Sequence, residues 1–253
     1  MTSNVLQVWP DVARRISEAA ALALFLDFDG TLAPFVADPS AARLPMLTRQ
    51  ALRRLACLPR LRIWIISARR RNDLCARVAV PRLQYLGLYG WESSALPRFS
   101  ERQSGKLAEA RREMTGRIRH IPGVRIEDKD ATFALHWRGA PPTSFQQTAH
   151  ALASVMAQFD GSLRVIPGDH VWEVTPAELP GKGAAARLHW RAWHACALPI
   201  YLGDNQADEP AFAALASGIT VCVGRARPTR AHFQLRDPLE VCFFLEKLEK
   251  EIR

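Results

Sequence analysis

The chain has 253 residues, of which 48% are hydrophobic and 23% charged, with a formal net charge of +9. That composition excludes a disordered or fibrous chain and suits one large domain, or a core carrying a smaller inserted module. No apolar stretch approaches the roughly 18 residues that cross a bilayer, and the N-terminus lacks a basic segment followed by an apolar run. A cytoplasmic protein with no membrane segment is expected. Five scattered cysteines without a CxxC pair signal neither a zinc site nor a disulfide framework. The arginine excess sits in clusters such as "SARRRND" and "EARREMTGRIRH", which carry no interleaved aromatics. This argues against a nucleic-acid surface and for an attraction to small anions such as phosphate esters.

Taken in chain order, "ALALFLDF" (21–28) is a nearly continuous apolar run, as a parallel strand covered on both faces should be. Leu47, Leu52, Leu55 and Leu58 then share a helical face. "LRIWIIS" (61–67) reads as a second buried strand and "LQYLGLYG" (83–90) as a third. The middle differs. A helix over 105–120 is followed by two short strands in 124–139 joined at Lys129–Asp130. A helix over 143–159 comes next, then a hairpin over 162–176 turning at Pro167-Gly168-Asp169. Beyond it, helices alternate with the strands "PIYLGDN" (199–205) and "GITVCVG" (218–224). The expected fold is α/β, a Rossmann-like parallel-sheet core formed by 1–96 and 176–253, interrupted by an α+β module at 97–175.

In open parallel sheets, ligands bind at the carboxyl ends of the strands. Asp27 and Asp29 end the first strand, Ser67 the second, and Asp204 the strand over 199–205. Lys182 lies where a Gly-rich loop enters a helix. Each residue alone has a plainer reading. Asp29-Gly30 can be a turn, Ser67 or Asp208 a helix cap, and Lys182 a solvated loop lysine. Gathered at successive strand ends, they fit phosphoryl transfer through an aspartyl-phosphate. One carboxylate attacks phosphorus and a second serves as acid and base, while Mg²⁺, a hydroxyl and a lysine balance the charge.

"DFDGTL" (27–32), Ser67, Lys182 and "GDNQADE" (203–209) resemble the four motifs of the haloacid dehalogenase (HAD) superfamily of phosphatases. "DFDGTLAPFVADPSAARL", "GKGAAARL", "GDNQADEPAF" and "AHFQLRDPLEVCFFLEKL" are similar to trehalose-6-phosphate phosphatases, over nearly the whole chain. The resemblance implies Asp27 as nucleophile and Asp29 as general acid/base. It implies Ser67 and Lys182 as holders of the phosphoryl group, with Thr31 supporting them. Mg²⁺ would be bound by Asp27, the backbone carbonyl of Asp29, and Asp204, with Asn205 and Asp208 close behind. "RIEDKDATFALHWR" and "VWEVTP" resemble that family's cap motifs, which implies sugar recognition by Glu127, Lys129 and Glu173. His136 and Arg138 fall on matching positions. A solvated strand face is the plainer reading of Glu127 and Lys129.

The chain departs from the family pattern at Ala68, where glycine is usual, at Tyr89, where histidine is common, and at Asn205 and Ala207. Ala68 is tolerable only if its φ is negative. The implied activity is Mg²⁺-dependent hydrolysis of trehalose 6-phosphate, with a small-molecule sugar phosphate as partner and a trehalose-phosphate synthase as a functional companion. The alternatives are the same chemistry on another ester, sucrose 6-phosphate or a glycosyl-phosphoglycerate, and a non-catalytic sugar-phosphate sensor.

Overall fold

A computed structural model describes residues 2–36, 38–93, 101–168 and 170–253, without the side chains of residues 39 and 101–103. The chain divides into two units, Met1–Ala95 with Pro180–Arg253, and Leu96–Leu179. The first unit begins with β1 (Ser3–Asn4), α1 (Trp9–Glu18), β2 (Leu22–Leu26), α2 (Met46–Leu55), β3 (Leu61–Ile66), α3 (Arg71–Val78) and β4 (Gln84–Leu86). The second unit holds α4 (Glu101–Ile118), β5 (Arg125–Asp128), β6 (Phe133–His136), α5 (Pro142–Met156), β7 (Leu163–Gly168) and β8 (Val171–Pro176). The chain then returns with α6 (Gly181–His194), β9 (Leu198–Gly203), α7 (Glu209–Ala214), β10 (Ile219–Val223), β11 (Phe233–Leu235) and α8 (Pro238–Ile252).

Among the described residues, the first unit carries a seven-stranded sheet in the order β1-β11-β10-β9-β2-β3-β4, with every pairing parallel. The central strand shows why the sequence here is apolar at every position. Leu22, Leu24 and Leu26 enter one core with Val12, Ile16 and Leu52 from the helices and Phe244 from α8. Ala23 and Phe25 enter the opposite core with Ala185, Ala186 and Phe212. Alternate side chains of one strand therefore serve two layers, and no polar side chain is tolerated on either. Phe25 stacks on Trp64 of β3 with ring centroids 4.6 Å apart. Asp27, directly after β2, extends the ladder by donating its N–H to the Leu202 carbonyl of β9 at 3.0 Å.

The second unit has a four-stranded antiparallel sheet, β5-β6-β8-β7. Phe133, Leu135 and Val174 pack on Leu107, Ala110 and Met114 of α4 and on Leu152 and Val155 of α5. The helices thus cover one face of this sheet, and the alternate residues point from the other. No helix among the described residues is long and apolar enough to cross a membrane. The five cysteines are all free.

The fold class is the expected one, a parallel α/β core with a small antiparallel α+β unit. Three local expectations are corrected. Of the four leucines expected on one helical face, Leu52 and Leu55 are buried on α2, whereas Leu47 is exposed and Leu58 lies past the helix end. The strand over 83–90 is only Gln84–Leu86, because Leu88 (φ 47°) and Tyr89 (φ 59°) turn into the left-handed region. Pro167 and Gly168 belong to the β7–β8 ladder, paired with Trp172 and Val171, which moves the hairpin turn past them. Asp169 lies outside the described residues. The short strands β1 and β11 and the helix α1 had no counterpart in the sequence reading.

Candidate active site

Three adjacent strands deliver their polar residues to the same end of the sheet: Ser67 after β3, Asp27 after β2 and Asp204 after β9. The chain leaves β2 through a tight turn. Gly30 donates to the Ala33 carbonyl at 2.8 Å, and Leu32 and Ala33 donate back to Phe28. Gly30 has φ 82°, and a Cβ on it would lie 2.5 Å from Oδ2 of Asp204. Both the left-handed conformation and the approach of Asp204 require glycine. Gly30→Ala should therefore lower turnover by about 10²-fold through displacement of reacting groups. Phosphate-release kinetics beside a thermal melt check this; wild-type rates would show that the turn adapts.

Lys182, in the first turn of α6, is buried and bridges two carboxylates. Its Nζ donates to Asp27 Oδ1 at 2.8 Å and to Asp208 Oδ1 at 2.7 Å. Asp208 accepts from every side. Its Oδ1 also takes the Tyr201 hydroxyl at 2.7 Å, and its Oδ2 takes the N–H groups of Asp204 and Asn205, both at 3.1 Å. Asn205 accepts from the Ala207 N–H at 2.8 Å and donates to Asp204 Oδ1 at 3.2 Å. Asn205 and Asp208 together form a capping box on the short turn Gln206–Asp208. The reading of Asp208 as the cap of the helix containing Pro210 is corrected: its side chain makes no capping bond to α7, and its oxygens serve the preceding turn and Lys182 instead. Arg227 braces the same loop, donating to the Asn205 carbonyl at 3.0 Å and to Glu209 at 2.5 Å.

Burial pushes the Asp27 carboxyl up to about 6; Lys182 opposes the shift and Asp208 adds to it. Burial, followed by the charges of Asp27 and Asp208, pushes Asp204 well above the ordinary carboxylate range. For Lys182, burial works against the charge, but Asp208 and Asp27 outweigh it and hold the pKa above that of an ordinary lysine. Asp27, Asp204 and Asp208 each offer an oxygen within 4.8 Å of the others. Among the described residues, Asp27 Oδ2 is buried with no hydrogen-bond partner. Asp208 has spent its oxygens on four donors, so Asp27 and Asp204 are the carboxylates with capacity left. A hard divalent cation fits this all-oxygen donor set and would offset the like-charge crowding.

Ser67 is buried and its Oγ accepts from the Arg69 N–H at 3.2 Å. The Thr31 hydroxyl is buried without a hydrogen bond among the described residues. Ala68 is not among the residues with positive φ, so its methyl group meets the stated condition. Tyr89 is buried at the left-handed turn, and its N–H donates to the Ser67 carbonyl at 2.8 Å. Asp29 is held by Arg69, whose Nε and Nη2 reach Oδ2 and Oδ1 at 2.7 and 2.8 Å.

In the second unit, Glu127, Ala134 and Glu173 occupy one row across three strands, on the face away from α4 and α5. Lys129 donates to Glu173 Oε2 at 2.8 Å, and Thr132 donates to the other oxygen. His136 Nε2 lies 2.9 Å from Glu127 Oε2. The structure therefore gathers Glu127, Lys129, His136 and Glu173, while Arg138 lies exposed beyond the end of β6.

The sequence reading omitted Tyr201, Arg69 and Arg227. Tyr201 carried a usable signal, because a tyrosine inside a fully apolar strand needs a buried partner for its hydroxyl. The arginines lie among many, and nothing local marks their targets.

Residues 25–238 match the trehalose-phosphatase family. Probable trehalose-phosphate phosphatase E of Arabidopsis thaliana is 30% identical over 268 residues, covering 97% of this chain and 74% of that protein. The trehalose-phosphate phosphatase of Mycobacterium avium (strain 104) is 34% identical over 251 residues, covering 91% of this chain but only 62% of that protein. The C-terminal domain of trehalose-6-phosphate phosphatase from C. albicans superposes with a TM-score of 0.82 at 22% identity, covering 99% of this chain and 98% of that one. The structural likeness speaks for the fold, and the family match spans Asp27, Ser67, Lys182 and Asp204: the chain belongs to the trehalose-phosphatase family.

Proposed function

We propose that this chain hydrolyses trehalose 6-phosphate to trehalose and phosphate, with Mg²⁺ as cofactor. The observation that carries the reading is the buried Lys182, hydrogen-bonded to both Asp27 and Asp208 and leaving Asp27 Oδ2 without a partner among the described residues. Oδ2 is then the attacking atom. It forms a bond to phosphorus as the bond to the sugar oxygen breaks. The departing oxygen keeps the electron pair and takes a proton from Asp29. In the second half, Asp29 takes a proton from a water that attacks phosphorus, and the Asp27 carboxylate is restored with release of phosphate. Lys182 neutralises charge on the phosphoryl oxygens, and the Ser67 hydroxyl donates to them. Asp27 and Asp204 would hold Mg²⁺ with the Asp29 carbonyl, and the ion would supply positive charge to nucleophile and phosphate.

In the second unit, Glu127, Lys129 and Glu173 offer charged partners to sugar hydroxyls, with His136 against Glu127. A cytoplasmic setting and a companion synthase that makes the substrate complete the reading.

The test is phosphate release from a panel of sugar phosphates, with Mg²⁺ and with EDTA, for the wild type and Glu173→Gln. Trehalose 6-phosphate should lead the panel and EDTA should abolish its turnover. Glu173→Gln should raise KM for it about tenfold with kcat little changed, the mark of lost binding. Preference for another ester, insensitive to Glu173, would keep the chemistry and discard the substrate. No release from any ester would leave a sugar-phosphate sensor.

A further inference from the structure

Arg69 has no part in the steps above, yet it is among the most tightly specified side chains near Asp27. Its guanidinium forks both oxygens of Asp29 at 2.7 and 2.8 Å and gives a third bond to Asp73 Oδ2 at 3.0 Å. Asp73 is fixed in turn by Arg77 at 2.8 Å. The guanidinium carbon stands 5.6 Å from the centroid of the Phe28 ring. The backbone is fixed as closely. The Arg69 N–H donates to Ser67 Oγ at 3.2 Å, and its carbonyl accepts from the Leu88 N–H at 2.9 Å. That donor belongs to the left-handed pair Leu88–Tyr89, a conformation non-glycine residues hold only when the surroundings over-determine it.

A bidentate fork fixes a carboxylate in plane and direction, which lysine cannot do. With both oxygens on Arg69, the Asp29 carboxylate is fixed in one orientation. Freeing one oxygen while the other stays on Arg69 confines the carboxylate to a swing about a single hydrogen bond. We propose that Arg69 is the positioning residue of the general acid/base. It parks Asp29 between turnovers and aims it at the leaving oxygen during one, with Asp73 and Arg77 holding the arginine itself in place. The proposal rests on the reading of Asp29 as acid/base.

The test compares two esters through kcat/KM, which covers the steps up to the first irreversible one. One is an alkyl ester that the wild type hydrolyses, such as trehalose 6-phosphate, whose leaving oxygen needs a proton. The other is p-nitrophenyl phosphate, whose leaving group departs as a stable anion. Arg69→Ala should lose about 10²-fold on the alkyl ester and less than about threefold on the aryl ester. Asp29→Asn should show the same split, and the double variant should be no worse than Asp29→Asn alone. Arg69→Lys, which keeps the charge and leaves one hydrogen bond, should recover part of the loss and guards against a folding defect in the alanine variant. Equal losses on both esters would make Arg69 a phosphoryl ligand or a loop brace and overturn the proposal. A wild type inactive on both esters would overturn the phosphatase reading, and this one with it.

Discussion

Asp27→Asn should abolish phosphate release, lowering kcat by about 10⁴-fold or more, the scale seen when a covalent nucleophile is removed. The substitution keeps the shape of the side chain and an oxygen for the Lys182 hydrogen bond, but the amide cannot form the acyl phosphate. Stability should not suffer. Asp27 is one of three carboxylates with oxygens within 4.8 Å of one another, and a neutral side chain removes a like charge from that group. The melting temperature of the variant should equal or exceed that of the wild type. Activity above a hundredth of the wild type would take the nucleophile's role away from Asp27. A lower melting temperature would mean that the negative charge of Asp27 is a net stabiliser through Lys182.

Lys182→Met should fail in both respects. Methionine fills the space of the lysine stem but leaves Asp27 and Asp208 buried with no cation between them. Removing one partner from a buried ion pair costs about 3–5 kcal/mol. Here one ammonium serves two carboxylates, so the upper end of that range is expected, with turnover lost as well. The double variant Lys182→Met/Asp208→Asn should regain part of the stability but none of the activity, because the amide removes one stranded charge. Urea unfolding of the single and double variants measures this coupling. Strict additivity of the two changes would mean that Lys182 and Asp208 do not act as a pair.

The parts that local pattern can specify were legible in the sequence. The apolar run around Leu22–Leu26 and the alternation of strands and helices lead directly to a parallel sheet covered on both faces. Polar residues placed after those strands then have to gather at one end. What stayed hidden depends on distant pairs or on conformations without a composition signal. The Arg69–Asp29 fork joins residues 40 positions apart, in a stretch with three consecutive arginines. Leu88 and Tyr89 adopt left-handed angles that their side chains do not advertise, and the apolar pattern of a strand continues through them. β1 and β11 are two and three residues long, too short to show a period. Pro167 looked like a turn residue, although proline is compatible with the edge strand β7.

The parallel register of β3, β2 and β9 also bears on which changes of length the chain can accept. Leu26 stands beside Ile65 and Leu202, so Ser67, Asp27 and Asp204 inherit their spacing from a ladder of backbone hydrogen bonds. The connections between strands contribute nothing to that spacing. The segment around Pro39–Ala41 bears on the site by another route, because the Ser40 and Ala42 carbonyls accept from Arg77, which holds Asp73 and through it Arg69. One residue inserted within β2 would turn Asp27 to the opposite face and shift it by about 3.3 Å. The sheet acts as a ruler for the reacting groups.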